Sequence, residues 1–477
     1  MKTTQVAEWI EEMLRCGVEE FSLCPGARNA ELCQALFASS VKTYNWYEER
    51  SAAFFALGRA KVTGNPVAVV TTSGTAAAEI LPACIEAYYT GVPLLLVTAD
   101  RPRRYRGSGA PQSIEQVGLF SPYVSWEADV EGEPFSLKGW DQRFPAHLNL
   151  CFEEPNNEVA DFSIPEVRPK QEFSVPAPEM PNCQRPLVIV GALSSADRES
   201  VARFLARWQA PIYLEAPSGL REDPRLQQLR VFRPEKGQVD HVLRIGGVPT
   251  HRFWRDLEEK EIPVTVWSRL PFSGLSWCKS APVDLNALPA CEPVQTDWEW
   301  IGKESCWNER ETLRFFECPQ EESSLIFSLS RIIPEGSLVY LGNSLPIREW
   351  DKAAVNQDKK FEISCNRGAN GIDGQLSTFF GECQPARENI ALVGDLTALY
   401  DLAAFWVIPQ LQHVSFRVIV INNGGGKIFR PMFPCQEMQN PHTLSFEGVA
   451  TLWNLQYEKW HTIPTKLSGQ LIELIPE

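Results

Sequence analysis

The stretch Ile421-Asn-Asn-Gly-Gly-Gly-Lys-Ile-Phe429 constrains this chain more than any other. It closes the apolar, β-branched run Phe416–Ile421, which reads as a buried strand. A second apolar run, Ile390–Val393, ends in Gly394-Asp395, with Asp395 28 positions before Asn423. A helical segment is expected between them over Leu396–Leu411, so the whole reads as one βαβ unit. Parallel strands would put Asp395 and Asn423 side by side at their C-terminal ends, where open α/β sheets take ligands. One carboxylate, one amide oxygen and a glycine carbonyl form a hard oxygen set suited to Mg2+ completed by phosphate oxygens and water. The glycines let a backbone approach a diphosphate with no Cβ in the way. The residues alone also fit a plainer reading, Gly-Asp as a turn and Asn-Asn-Gly as a helix cap or loop.

The same βαβ rhythm runs through the rest of the 477 residues, too many for one ordinary core. A helix near Thr4–Arg15, a strand at Phe21–Cys24, a helix after Glu49 and strands at Pro66–Thr71 and Pro93–Thr98 open the chain. A second unit starts at Pro186, with a helix over Ala196–Trp208 and strands near Ile212, His241–Ile245 and Val264–Trp267. A third begins near Glu322. Pro-rich sequence over 153–185 and an acidic stretch over 279–320 separate them. The expectation is three doubly wound, parallel-sheet α/β domains, at 1–175, 183–300 and 320–477.

A net charge of −15 argues against nucleic acid or an anionic membrane as the main partner. The thirteen cysteines are scattered, with no C-x-x-C pair, and read as reduced thiols. The N-terminus has helical spacing and no signal-peptide pattern, and no apolar run reaches membrane-span length. A cytoplasmic protein without stable membrane insertion is expected.

The Gly394-Asp395 and Asn422-Asn423-Gly pattern resembles the thiamin diphosphate fingerprint of enzymes that process 2-oxo acids. The resemblance implies that Asp395, Asn423 and the Gly425 carbonyl hold Mg2+ (or Mn2+) on the cofactor diphosphate. It also implies a second half-site, and Tyr47-Glu-Glu-Arg-Ser-Ala-Ala-Phe54 offers an acid at a helix start. A carboxyl bonded to the cofactor's aminopyrimidine nitrogen favours the imino tautomer that draws the proton from the thiazolium carbon. Glu49 is the choice over Glu48, because it directly precedes Arg50 as in the family. On the residues alone, both acids also fit a helix N-terminus favoured by its dipole.

Cys24-Pro-Gly-Ala-Arg28, Thr72-Ser-Gly-Thr-Ala-Ala, Leu95-Leu-Val-Thr-Ala-Asp-Arg101 and Gly109-Ala-Pro-Gln112 add a closer likeness. So do Gly342-Asn-Ser344-Leu-Pro-Ile-Arg348, Asn366-Arg367-Gly-Ala-Asn-Gly-Ile372 and Lys427-Ile428-Phe429. In order, along essentially the whole chain, they resemble the 2-succinyl-5-enolpyruvyl-6-hydroxy-3-cyclohexene-1-carboxylate synthase family. That implies decarboxylation of 2-oxoglutarate and addition of the succinyl semialdehyde carbanion equivalent to isochorismate, in menaquinone biosynthesis. It implies a homodimer or dimer of dimers, with the Glu49 and Asp395 domains meeting between subunits. Both substrates carry two carboxylates, which guanidinium groups bind bidentately. Arg28, Arg101, Arg252, Arg348 and Arg367 are the matching arginines, with Gln112 and Ser344 adding hydrogen bonds. Glu49, Arg28, Gln112, Ser344 and Arg348 would be the catalytic set. Gly371, Ile372, Gly394, Leu396, Thr397, Ile428 and Phe429 would contact the cofactor, Ile372 from beneath.

Three positions depart from that pattern: Ala27 for a usual serine, Pro111 for asparagine and His251 for lysine. The chain ends at Glu477 directly after an expected strand, where the family usually continues. No histidine falls in a general-base motif, and Arg103, Arg104 and Arg106 read as a solvated loop. Another thiamin-dependent 2-oxo-acid decarboxylase or carboligase, or a catalytically silent paralogue, stays open as an alternative. A nicotinamide dehydrogenase is disfavoured, because no G-x-G-x-x-G follows a strand.

Overall fold

The computed structural model describes residues 3–155, 158–170, 173–234, 237–259, 261–294, 298, 300–301 and 314–477. Residues 302–313 of the expected acidic boundary, and 156–157 and 171–172 of the Pro-rich one, lie outside the described residues.

Three sheets form, and their strands pair in parallel throughout. The first holds β1 (Glu20–Leu23), β2 (Lys42–Asn45), β3 (Val67–Thr71), β4 (Leu94–Asp100), β5 (Trp126–Val130) and β6 (Ala146–Cys151), in the order β2-β1-β3-β4-β6-β5. The second holds β7 (Pro186–Val190), β8 (Ile212–Leu214), β9 (His241–Ile245) and β10 (Val264–Trp267), in the order β10-β9-β7-β8. The third holds β11 (Leu338–Leu341), β12 (Glu362–Ser364), β13 (Glu388–Gly394), β14 (Ser415–Ile421), β15 (Tyr457–Trp460) and β16 (Leu471–Leu474), in the order β12-β11-β13-β14-β16-β15. Every residue of β3, β4, β6 and β7 is buried. Helices cover both faces of such strands, which is why they read as unbroken apolar runs. The fold is the expected three-sheet α/β architecture.

The chain divides into two compact units. One comprises residues 1–172, 368–383 and 399–413; the other comprises 173–367, 384–398 and 414–477. Two segments that follow β12 and β13 in sequence thus pack with the first sheet. Within that unit the helix Gln375–Glu382 crosses the helix Glu49–Thr63 at a pair of glycines. A Cβ on Gly58 would lie 2.2 Å from the Thr378 carbonyl oxygen, and one on Gly381 2.3 Å from that of Phe55. The Glu86 carboxylate accepts the amides of Gly368 and Ala369 at 2.8 and 2.7 Å.

The helix expected over Leu396–Leu411 does not run through. An α-helix spans Asp395–Tyr400, and 3-10 turns follow over Leu402–Gln410. Asp401 at the break is buried and accepts from the Ser377 amide (2.7 Å), the Ser377 hydroxyl (2.9 Å) and the Ser51 hydroxyl (3.3 Å). Pro409 removes a helix donor in the second piece. Periodicity reports neither effect, so it reads the two pieces as one.

Candidate active site

In the second unit, β13 and β14 are paired with Gly394 opposite Ile421. Asp395 and Asn423 therefore leave adjacent strand ends. Asp395 is 3% exposed. Its Oδ1 accepts the Leu396 amide at 2.7 Å, and its Oδ2 accepts those of Gly424 and Gly425 at 2.9 and 2.8 Å. Left-handed backbone at Gly424 (φ +79°) and Gly425 (φ +133°) turns both amides back onto the carboxylate. A Cβ on Gly425 would lie 2.5 Å from the Gln439 carbonyl oxygen, which also accepts the Gly426 amide at 2.6 Å. The glycine run is thus closed from one side by the chain's own residues 436–442.

Asn423 donates through Nδ2 to Glu322 Oε2 at 3.0 Å, while its Oδ1 is buried without a partner among the described residues. Burial, with the charges of Glu349 and Asp395, pushes the Glu322 carboxyl up to about 7. His442 Nδ1 accepts the Leu444 amide, and its Nε2 lies 3.3 Å from Asp395 Oδ2. No three His, Cys, Asp or Glu side chains gather as a metal site among the described residues. A cation here would draw on amide and carbonyl oxygens beside Asp395, and the bare Asn423 Oδ1 fits that demand. Leu396 and Thr397 form the first turn after Gly394, and Ile428 and Phe429 lie in a 3-10 turn over Lys427–Phe429.

The same unit brings Ser344, Arg348 and Arg367 together. Ser344 adopts φ +75°, ψ −128°, a conformation that costs a non-glycine residue about 1–3 kcal/mol and is found where a site needs it. Arg348 donates to the Ser344 carbonyl, and Arg367 donates to Asn343 Oδ1 at 2.9 Å. Burial and the Arg367 guanidinium hold the Arg348 pKa below its ordinary value. Glu215, buried, accepts the Thr250 amide and hydroxyl and the His251 amide. His251 Nδ1 accepts the Phe253 amide at 3.2 Å, and burial lowers the ring's pKa, so a neutral ring carries its proton on Nε2. The Arg252 side chain is 78% exposed, with Asp256 3.6 Å away. The structure therefore gathers Arg348 and Arg367 and leaves Arg252 in solvent.

In the first unit, Glu48 and Glu49 have different tasks. Glu48 caps the helix Glu49–Thr63, accepting the amides of Arg50 (3.1 Å) and Ser51 (2.9 Å). Glu49 is not needed for the cap. Burial, then the charges of Glu48 and Glu79, raise its pKa. Arg28 is buried; it donates to the carbonyls of Phe152 (3.2 Å) and Glu153 (2.8 Å) and to Glu154 Oε1 (3.0 Å). Arg101 donates through Nε to the Pro111 carbonyl at 2.9 Å and lies 3.6 Å from the same Glu154 oxygen. Gln112 has φ +55° and packs on Gly74, where a Cβ would lie 3.1 Å from Gln112 Cα. Gly371 and Ile372 precede the helix Gln375–Glu382, and Gln375 Nε2 donates to the Gly371 carbonyl at 2.8 Å.

Comparison with known proteins decides what this collection of residues belongs to. Residues 4–119 match the family described as thiamine pyrophosphate enzyme, N-terminal TPP binding domain. The chain is 45% identical to the 2-succinyl-5-enolpyruvyl-6-hydroxy-3-cyclohexene-1-carboxylate synthase of Bdellovibrio bacteriovorus, over 98% of this chain and 95% of that protein. It is 39% identical to the synthase of the same name from Akkermansia muciniphila, over 97% and 94% of the two chains. This chain belongs to that synthase family. A solved Mycobacterium smegmatis structure described as a candidate thiamin diphosphate-dependent enzyme superposes with a TM-score of 0.70 at 15% identity, over 100% of this chain and 99% of that one, and so shares the fold. No helix among the described residues is long and apolar enough to cross a membrane.

Against the synthase pattern, the departures have definite geometry. Pro111 offers Arg101 only its backbone carbonyl, and His251 is a capping residue with a neutral ring in place of an ammonium. Arg103 and Arg104 are exposed, as expected of a solvated loop, and Arg106 is half-buried, but all three are ion-paired. Arg103 binds Asp129 and Glu133, Arg104 grips Glu153 with two bonds of 2.6 Å, and Arg106 reaches Asp129 and Asp100. Acids at the ends of β4 and β5 and just past β6 attract them, and Arg106, Asn149 and Arg103 hold Asp129 well below the usual carboxylate range despite its partial burial. Four residues at these sites carry no sequence signal: Glu154, Glu215, Glu322 and His442. Glu322 stands 101 positions from Asn423, and Glu154 stands 126 from Arg28. Only packing brings such pairs together.

Proposed function

We propose that this chain decarboxylates 2-oxoglutarate and adds the remaining four-carbon unit to isochorismate. The product is 2-succinyl-5-enolpyruvyl-6-hydroxy-3-cyclohexene-1-carboxylate, an intermediate of menaquinone biosynthesis. The observation that carries this reading is the Asp395–Asn423 pair at adjacent strand ends, with a bare buried amide oxygen, in a chain of this family. Thiamin diphosphate, when bound, supplies the nucleophilic carbon and the electron sink that 2-oxo-acid chemistry needs. Asp395, Asn423 Oδ1 and the Gly425 carbonyl would hold Mg2+ (or Mn2+) on its diphosphate. Glu49, with its raised pKa, would keep a proton shared with the aminopyrimidine nitrogen. Gly371, Ile372, Gly394, Leu396, Thr397, Ile428 and Phe429 would line the cofactor. Arg28, Arg101, Arg348 and Arg367 would receive substrate carboxylates, with Gln112 and Ser344 orienting them. Arg252 would join them only by turning in from solvent. The working state would be a cytoplasmic homodimer or dimer of dimers, which light scattering of the active protein tests; a fully active monomer would exclude it.

The test uses purified protein with thiamin diphosphate, Mg2+ and 2-oxoglutarate, with and without isochorismate. Isochorismate loss with a product of the adduct's mass is the expected result. Decarboxylation with isochorismate untouched would favour the second reading, a carboligase with another acceptor. The neutral His251 and the carbonyl-only Pro111 are the observations in that reading's favour.

A further inference from the structure

Glu322 opens the helix Glu322–Ile332 and has no part in the residue set above. Its Oε2 accepts from Asn423 Nδ2 at 3.0 Å. Its Oε1 and Asn423 Oδ1 are both buried, and neither has a hydrogen-bond partner among the described residues. A carboxylate only accepts, whereas an amide donates on one side and accepts on the other. In the observed contact Nδ2 faces Glu322; turning the amide over against an ionised carboxylate would set Oδ1 against Oε2, two acceptors face to face. The observed orientation leaves Oδ1 free, on the strand end beside Asp395. Buried polar oxygens are seldom left without a partner, so a bare one marks a place where something absent from the chain supplies positive charge or a donor.

We infer that Glu322 is a positioning residue for the divalent cation: it locks the Asn423 amide so that Oδ1, not Nδ2, faces the ion. This rests on the reading of Asp395 and Asn423 as metal ligands. It adds a residue that does not touch the ion, substrate or cofactor and acts only through Asn423. Outer-shell groups of this kind, when removed, typically weaken metal binding about 10- to 100-fold. Among the described residues, Glu349, Asp395 and Lys352 are charged groups that act on Glu322.

The test is a Mg2+ titration of the full-length protein with saturating thiamin diphosphate, followed by quenching of tryptophan fluorescence. Glu322→Met keeps the length and removes the acceptor; its apparent Mg2+ dissociation constant should rise about 10- to 100-fold. Asp395→Ala, run alongside, should lose Mg2+-dependent cofactor binding. If Asp395→Ala loses it while Glu322→Met stays within twofold of wild type, the inference is overturned and the ligand assignment survives. If Asp395→Ala also binds normally, the ligand assignment itself fails. A crystal structure of the wild-type protein with Mn2+ and thiamin diphosphate gives an independent check that does not depend on a variant folding. Asn423 Nδ2 should remain on Glu322 with Oδ1 on the ion. A Glu322 carboxylate that ligates the ion directly, or that has left Asn423, overturns the inference.

Discussion

The first and third sheets have one topology. Counted within each, the strand order is 2-1-3-4-6-5, and all neighbours are parallel. Each reverses direction beside its first strand, and each therefore opens a crevice at the strand C-termini. Their contents differ. The first sheet's strand ends lead into Arg28, Arg101 and Gln112, with Glu49 beginning the helix that follows β2. The third sheet's lead into Ser344, Asp395 and Asn423 with its glycine run. Both sheets thus present guanidinium groups, Arg28 and Arg101 past the first and Arg348 and Arg367 past the third; the first adds a protonable acid, Glu49, and the third a buried carboxylate, a bare amide oxygen and a glycine run. Topology supplies the crevice; a handful of residues just past the strands supplies the chemistry.

The sharpest test of that contrast lies in the first sheet. Glu49→Gln should lower kcat by roughly 10²- to 10⁴-fold, the usual worth of a positioned acid–base group, with cofactor affinity little changed. Glu48→Gln, one residue earlier, should keep kcat near wild type, because its carboxylate only caps the helix. Equal losses in the two variants, by steady-state kinetics, would erase the distinction between them.

Next in size are two glycines, one from each region. Gly58→Ala would place a Cβ 2.2 Å from a carbonyl oxygen at a helix crossing. Overpacking of this kind typically costs about 1–3 kcal/mol, so a lower thermal midpoint of the apoprotein is expected. Gly425→Ala meets both positive φ and a carbonyl at 2.5 Å, but in a loop. Its main effect should be weaker Mg2+-dependent cofactor binding, with a smaller shift of the apoprotein midpoint. The reverse pattern would mean that the glycine run serves folding more than the ligand.

The smallest effect is a slope. Burial pushes the Asp401 carboxyl up from 3.8 to about 6. The folded chain then holds a proton that the unfolded chain releases, so this group's contribution to stability is full below about pH 4 and is lost as pH rises through about 6. Asp401→Asn should flatten the fall of the thermal midpoint across that window. An unchanged slope would place its origin in other buried acids, such as Asp351, which burial and Glu215 push up to about 8.

Much of this protein was legible from short stretches of its sequence. Periodicity located β9 and β10 at their observed ends, and turn chemistry placed Gly394-Asp395 and Asn422-Asn423 at the ends of neighbouring strands. The start of the helix at Glu49 was readable in the same way. These features depend on a few adjacent residues, on alternation, caps and φ preference, so a local pattern encodes them. The rest was decided by packing. The bonds from Ser377 and Ser51 at the helix break at Asp401 are facts about neighbours far along the chain. So are the pairings of Glu154 with Arg28 and of Glu322 with Asn423. A buried donor or acceptor takes whichever partner the fold delivers to it, and residues a hundred positions apart leave no shared pattern in the sequence to announce the meeting.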